Sequence, residues 1–564
     1  MSNFMQEIYH QMWVRQRVIV KNVTIGVPQP HLVRPEPGYG VNPEQALTGD
    51  FPGLEFTEMV REQEFTVLQA GARLPCGTDL LLVRSDYDRI ERLLVASELG
   101  RWSDGPGLLE PGANLDHKLS GPSGSEGKSV FLSYLLARRL SMGQPTVYRE
   151  DDRKCFLFDQ YTPGKQVNAD ALFRLPMDQQ KRLWILTSDP PTDPRWSYSC
   201  GWFVVLADIP EHMKSTSHSE WETGRNVGVH YMSDWQWSEI FAVFKLLGPD
   251  TPTPSEIGNL YTTFVCLGPA ARTCLISIPT SIEAGYNRRL SAHLCRVDTN
   301  IQTFLARGAY KSILASLTRP LSPNSAVMEP AEDALFRKAG ITTRWLAHRV
   351  LMVALEQSSR IGFGLFPYFL RYQGLQNISG WIFEGCAQYV LSHGGSFNAG
   401  EIPIANNNSL PLKFTIQKNQ SACPHYFAST GHLAQQVKDR YRDGLAPDTV
   451  GKYFLPYSRR PESIDGLVFS HPDTLIIFRI TIAGTLTIDL QEIQDLSRAL
   501  PATIRQIRVV FVVPQAHTRP DVTLLCISEA PAIIPPVSGS AIGLFQLVCT
   551  YGDMQAAVVH RPFI

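Results

Sequence analysis

Apolar positions change their period along this chain, and the changes mark out its elements. Ile90, Leu93, Leu94 and Leu99 follow Ser85 and Asp86, either of which can cap, so the spacing predicts an amphipathic helix there. A second helical face, Phe131, Leu132, Leu135, Leu136 and Leu140, follows a Gly/Ser-rich stretch and is stopped by Gly143 and Pro145. Short unbroken apolar runs come next, at 146–148, 183–186 and 202–207, and Thr263–Leu267 reads as a further strand-like piece. Strands alternating with helices predict an α/β domain over about 56–285. From 286 to 365 the spacing is helical again, in DTNIQTFLARGAYKSILASL and TTRWLAHRVLMVALEQ. The remainder, 366–564, returns to α/β: strands at 467–469, 474–482 and 507–513, a helix at 489–500, and a loop-rich insertion around 400–455. Residues 1–55 are Pro-, Gly- and Gln-rich after a short strand-like piece, and Pro removes donors while Gly adds backbone entropy, so a loosely ordered arm is expected.

Composition narrows the classes. The 564 residues carry 52 Lys and Arg against 53 Asp and Glu, a net charge of −1. That balance excludes a globally basic nucleic-acid coat and an acidic tail protein. The ten cysteines form no C-x-x-C pair and no zinc cassette, a pattern of reduced thiols in a cytoplasmic or nuclear protein. The N-terminal residues lack an uncharged apolar run of signal-peptide type, and no window reaches eighteen apolar residues. An intracellular chain with no membrane partner is expected.

The strongest motif is Gly121-Pro-Ser-Gly-Ser-Glu-Gly-Lys-Ser129. Glycines let backbone N–H groups turn inward around a phosphate chain, and the helix that follows presents its positive end there. Gly121, Ser123, Gly124, Gly127, Lys128 and Ser129 are the candidate nucleotide contacts. Lys128 suits the β and γ oxygens, and the Ser129 hydroxyl suits Mg²⁺. The usual spacing places four residues between the first glycine and GKS; here Pro122–Glu126 make five, and the surplus residue is the acidic Glu126. A metal-holding acid is expected at the end of a buried strand, which offers Asp189 after LWILTS and Asp208 after FVVLA; Asp189 is preferred. Arg272, just beyond CLGPAA, is a candidate for stabilising charge on a transferred phosphoryl group, although such an arginine is more often a surface one.

Several separated pieces, LLVRSDYDRIERLL (80–94), GPSGSEGKSVFLSYLLARRLSMGQPTVY (121–148), LWILTSD, MSDWQWSEI (232–240) and FVCLGPAAR (264–272), occur in an order that resembles the Crinkler-type proteins of fungi and oomycetes. These are related in architecture to the retrotransposon hot spot proteins. The resemblance covers about 75–515. It implies a P-loop NTPase parallel sheet with a helical extension, followed by a second, smaller α/β nuclease-like domain of the PD-(D/E)xK class. It also implies ATP or another NTP with Mg²⁺ as cofactors, Arg272 as sensor or finger, and the strand-end acid at Ser188 or Asp189. The ubiquitin-like leader of the family's secreted members is not seen.

For the second domain the resemblance places Glu384, within SGWIFEGCAQYVLSHGG, at the acidic position of the first nuclease helix, and Asp465, within PESIDGLVF, at the metal-holding strand position. The next strand would carry Glu or Gln, one residue, then Lys; here Arg479 and Thr481 stand at those places. Residues two apart on a strand face one side, so both point to one site. An arginine beside Asp465 would neutralise the ligand and compete with the ion. The expectation is therefore an NTPase module coupled to a degenerate nuclease-like module, with DNA as the partner. Two alternatives stay open: a non-catalytic interaction protein with vestigial sites, and an active Mg²⁺-dependent endonuclease.

Overall fold

The computed structural model describes residues 2–29, 59–103, 117–120, 126–151, 154–188, 196, 202–207, 227–248, 251–278, 283–306, 341, 343–371, 375–402, 411–417, 425–427, 433, 450–456, 464–482, 490–500, 503–514 and 541–549. The chain is mixed α/β and divides into two compact units. Unit 1 comprises Met1–Gln29, Glu58–Tyr286 and Lys311–Thr342; unit 2 comprises Pro30–Thr57, Asn287–Tyr310 and Thr343–Ile564.

Unit 1 opens with α1 (Ser2–Tyr9) and β1 (Ile19–Gln29). Composition predicts a loose arm here, yet Met5, Ile8 and Met12 are wholly buried in the main core of the unit. Their spacing of three and four places all three on one helical face, and burial of that face holds the segment. Residues 30–57, the Pro- and Gly-rich part of the expected arm, lie outside the described residues. β1 pairs antiparallel with β2 (Met59–Gln69), and β2 with β3 (Leu80–Val83), before α2 (Ser85–Ser103).

The main sheet of unit 1 is built from β4 (His117–Ser120), then α3 (Glu126–Ser141), β5 (Thr146–Asp151), β6 (Lys154–Phe158), β7 (Pro163–Val167), β8 (Trp184–Thr187), β9 (Phe203–Ala207) and β10 (Gly228–Tyr231). Its order is β10-β4-β9-β8-β5-β6-β7. The first five strands of that order are mutually parallel, and β6 and β7 add an antiparallel edge. The apolar runs at 183–186 and 202–207 thus form the sheet centre. Their alternate residues serve two cores, Trp184, Leu186, Phe203 and Val205 on the α3 side, and Ile185, Val204 and Leu206 on the other. A parallel sheet covered on both faces needs such continuous apolar strands.

Phe131, Leu132, Leu135, Leu136 and Leu140 of α3 are all fully buried, as their spacing predicts. Each such side chain is worth about 1.5–3 kcal/mol in burial. Gly143, at φ +65°, ends the helix in the left-handed region that its missing Cβ permits. Arg139 then fastens that end to β5: Nε donates to Thr146 Oγ1 (3.1 Å), Nη2 donates to Pro145 O (3.1 Å), and the guanidinium lies 4.1 Å from the Trp184 ring centroid. Burial pulls its pKa down to about 9.

Two outcomes differ from the pattern reading. The polar segment His117–Ser120 carries no strand signal, yet it is an interior strand with His117 and Leu119 fully buried. Pairing on both sides by β9 and β10 overrides its weak local preference. Thr263–Leu267 is not a strand; it ends helix α5 (Pro254–Leu267), which follows α4 (Trp237–Leu247). The signal was upstream. Thr253 accepts from the Glu256 N–H while Glu256 Oε2 accepts from the Thr253 N–H, a reciprocal capping box with Pro254 at the first helical position.

Unit 2 receives most of α6 (Glu283–Ala306), then α7 (Arg344–Gln357), α8 (Ser359–Leu370) and α9 (Gln376–His393). An eight-stranded sheet follows: β11 (Gly395–Glu401), β12 (Leu412–Ile416), β13 (His425–Phe427), β14 (Tyr453–Pro456), β15 (Gly466–His471), β16 (Thr474–Ile480), then α10 (Leu490–Ala499), β17 (Gln506–Pro514) and β18 (Ala541–Cys549). Its order is β12-β11-β18-β17-β16-β15-β14-β13, with β16, β17 and β18 parallel and β15 antiparallel to β16. Leu475, Ile477, Ile507, Val509 and Phe511 meet Ile493 and Leu496 of α10 in one core. Among the described residues no helix is long and apolar enough to cross a membrane.

Candidate functional site

In unit 1 the described geometry converges on the carboxyl end of β4. Later strands lie on both sides of it, β9 on one and β10 on the other. In open α/β sheets, the place where the strand order reverses leaves a crevice outside the carboxyl ends of the strands. The chain leaves β4 at Ser120 and enters α3 at Glu126, so the glycine-rich segment joins the carboxyl end of β4 to the amino end of α3. Gly127, Lys128 and Ser129 occupy the first turn of α3, and Ser129 is half-buried. Gly121, Ser123, Gly124, Asp189 and Asp208 lie outside the described residues. β8 ends at Thr187 and β9 at Ala207, so positions 188–189 and 208 follow directly on two parallel strand ends. Arg149 joins the ends of β5 and β8: it is fully buried, Nη1 donates to Thr187 Oγ1 (2.9 Å), and it stacks on Trp196 at 5.3 Å.

Arg272 does not stand after a strand. It follows α5 and Gly268 (φ +97°) and is exposed at the start of a single π-helical turn, Thr273–Ser277.

A polar clamp secures the segment after β10. Arg84 is 4 % exposed; its Nε donates to both oxygens of Glu239 (3.1 Å each), its Nη2 donates to Ser233 O (3.1 Å) and Asp234 O (3.0 Å), and it stacks on Trp235 at 4.5 Å. Asp86 accepts from the Ser233 N–H (2.7 Å), from the Ser233 hydroxyl, and from Arg89 Nη2 (2.9 Å). Burial raises the carboxyl pKa of Asp86, but these hydrogen bonds and the Arg84 charge outweigh it and hold the pKa below the ordinary value. RSDYDR and SDWQWSE, two of the pieces the sequence singles out, therefore meet. Tyr231 pairs with Ser120, so the clamped residues begin one strand over from the glycine-rich segment. The pairing is not legible in the sequence because the partners lie about 150 residues apart.

His117 of β4 and His230 of β10 form a buried pair, with Nδ1 and Nε2 2.7 Å apart. One ring donates and the other accepts. The Phe203 ring lies 4.8 Å from His117. Burial, and then the Arg89 charge, push the pKa of His230 down to about 4.

In unit 2 the structure brings Asp465 and Arg479 together. Asp465 immediately precedes β15, whose first residue Gly466 pairs with Phe478, and Arg479 follows Phe478 on β16. The Asp465 side chain is fully buried; Oδ2 accepts from the Ile480 N–H (2.6 Å), and Oδ1 lies 3.5 Å from Arg479 Nη1. Thr481 follows β16, half-buried, and its N–H donates to Val512 O (3.0 Å). Glu384 is buried on α9 and is paired with Arg344 at the start of α7. One turn on, Gln388 Nε2 donates to Asp465 O (2.6 Å), and Gln388 Oε1 accepts from Tyr453 OH (2.6 Å). Gly466 makes room for that phenol, because a Cβ there would stand 2.7 Å from Tyr453 Cζ. Gln388 and Tyr453 escaped the sequence reading. The signal available was a buried polar stripe, Glu384, Gln388 and Ser392, four residues apart on a largely apolar helix.

These residues do not fit a divalent metal. Each carboxylate at the expected ligand positions carries its own guanidinium, and Asp465 also accepts a backbone N–H. Among the described residues no group of three or more His, Cys, Asp or Glu is placed to hold an ion. Lys128 and Ser129 stand in the first turn of a sixteen-residue helix, at the end whose dipole favours negative charge. No family model, no curated protein and no solved structure matches the chain.

Proposed function

We propose that unit 1 binds a nucleoside triphosphate with Mg²⁺ on the segment joining β4 to α3, and that unit 2 is a nuclease-like module that contacts nucleic acid without cutting it. The supporting observation is β4 itself, an interior strand of five parallel ones that feeds a glycine-rich segment into the amino end of α3. Backbone N–H groups of such a segment bind phosphate oxygens, and the helix end favours negative charge. Lys128 would bind the β and γ oxygens. Ser129, with Asp189 or Asp208 beyond the ends of β8 and β9, would hold Mg²⁺, which supplies charge neutralisation on the phosphates. Glu126, the first residue of α3, places an acid at the same helix end. The proposal is tested by calorimetry and thermal unfolding with ATP and Mg²⁺. Saturating nucleotide at a hundred times Kd stabilises a protein by about 2.7 kcal/mol, a clear rise in Tm. Lys128→Ala is expected to abolish both heat and shift, and unchanged affinity in that variant refutes the assignment.

The non-cleaving reading of unit 2 rests on the Asp465–Arg479 and Glu384–Arg344 pairs. A metal nuclease needs anionic ligands to concentrate its ion. Plasmid DNA incubated with the protein and Mg²⁺ should remain intact. Cutting that disappears in Asp465→Ala would restore the endonuclease alternative.

A further inference from the structure

The antiparallel ribbon of unit 1 is covered along one half of its outer edge and bare along the other. β1 is the terminal strand of the order β1-β2-β3, so only one of its edges is paired. In its second half Ile25, Val27 and Pro28 are buried, and Trp237 Nε1 of α4 donates to Pro28 O (2.9 Å). Its first half, Ile19–Thr24, has no such cover. Alternate residues of an antiparallel strand direct their N–H and C=O groups to the partner, so the others point theirs outward, over about 20 Å. Among the described residues those outward groups meet no hydrogen-bond partner. Ile19 and Val20 are 55 % and 48 % exposed; successive strand residues face opposite sides, so both faces are bare here. Arg15, Arg17 and Lys21 are exposed and, among the described residues, in no ion pair. Residues 8–35 contain no Asp or Glu. Free edges are commonly guarded by shortness, lysine or proline. β1 is eleven residues long, and Lys21, its single charged residue, leaves β-branched side chains open on both sides of it. The edge is also fixed in advance. The Arg17 N–H donates to Gln11 O (2.9 Å), and Gly71, at φ +67°, leaves room where a Cβ would stand 3.1 Å from Arg17 O. Little ordering cost is left for binding.

We propose that the outer edge of β1, Ile19–Thr24, docks an extended acidic peptide, which joins this sheet as a fourth strand. Main-chain hydrogen bonds supply affinity and alternate side chains supply selectivity: carboxylates opposite Arg17 and Lys21, β-branched residues opposite Ile19, Val20 and Val23. A lipid surface or a nucleic-acid backbone would use the cations, but neither uses a row of backbone donors and acceptors flanked by apolar side chains on two opposite faces. A second copy of β1 would bring cations against cations with no acid to answer them. Neither nucleotide binding by unit 1 nor the reading of unit 2 is needed for this docking.

The test uses the full chain and an end-blocked, dye-labelled peptide, VTEVITE, read by fluorescence anisotropy. Its order places the two acids opposite Lys21 and Arg17 in an antiparallel ladder. Wild type should bind it saturably. Arg17→Glu combined with Lys21→Glu, both at exposed positions, should weaken binding at least tenfold and should prefer the charge-swapped peptide VTKVITK. On unaltered protein VTKVITK should bind at least tenfold more weakly than VTEVITE, which reads the same contact without any variant. Methylating the amide nitrogens of alternate peptide residues separates strand addition from charge attraction: one alternate set should abolish binding and the other should leave it intact. No saturable binding, indifference to charge swapping, or indifference to both methylated sets overturns the proposal. Displacement of the peptide by an oligothymidylate or by phosphatidylserine vesicles that bind more tightly also overturns it, and assigns the edge to phosphate. A dimer in sedimentation that Lys21→Glu abolishes overturns it in favour of a second copy.

Discussion

The buried imidazole pair between β4 and β10 makes stability depend on pH in a defined window. His230 has an ordinary pKa of 6.5, which burial and the Arg89 charge push down to about 4 in the folded chain. The unfolded chain takes up a proton as pH falls below 6.5, while the folded chain resists until about 4. Protons therefore favour the unfolded state, and stability is complete above 6.5 and is lost as pH falls toward 4. The difference between those two values corresponds to about 3 kcal/mol. His230→Gln keeps a group able to hydrogen-bond His117 but removes the titration. Urea unfolding of both proteins, followed by tryptophan fluorescence at intervals from pH 7 to pH 4, isolates this contribution, because carboxylate effects are common to both. Wild type should lose about 3 kcal/mol more than His230→Gln across the window. Parallel stability profiles would refute the argument that the folded state holds His230 neutral.

The clamp after β10 predicts that Arg84→Met destabilises unit 1 by about 3–5 kcal/mol, because it strands Glu239 in a largely buried setting and leaves Ser233 O and Asp234 O without their donor; denaturant titration reads it. Arg84→Lys should recover only part of that loss, since an ammonium cannot reproduce a fork that reaches Glu239 and two carbonyls. In unit 2, Tyr453→Phe leaves the buried Gln388 Oε1 without its phenol donor and should cost about 1–3 kcal/mol, measured by thermal unfolding. A stability unchanged in Tyr453→Phe would mean that the hydrogen bond from Tyr453 to Gln388 contributes nothing.

The sequence by itself determined whatever depends on near neighbours. The apolar face of α3, the buried runs that became β8 and β9, and the strand–helix–strand run of the tail were all legible, because a period of 3.6 or an unbroken apolar stretch is written within one element. The capping box that makes Thr263–Leu267 helical was also local, and apolar content alone concealed it. Only the tertiary structure decided that the polar HKLS is an interior strand, since its stability comes from two flanking strands rather than from its own residues. The same holds for His117 and His230, 113 residues apart, and for Asp86 and Ser233, 147 apart. The order of residues proposed Arg479 as a neighbour of Asp465 through a resemblance; the folded chain supplied the contact. Sheet pairing and buried charge compensation join residues that are distant in the chain, and no local period records them.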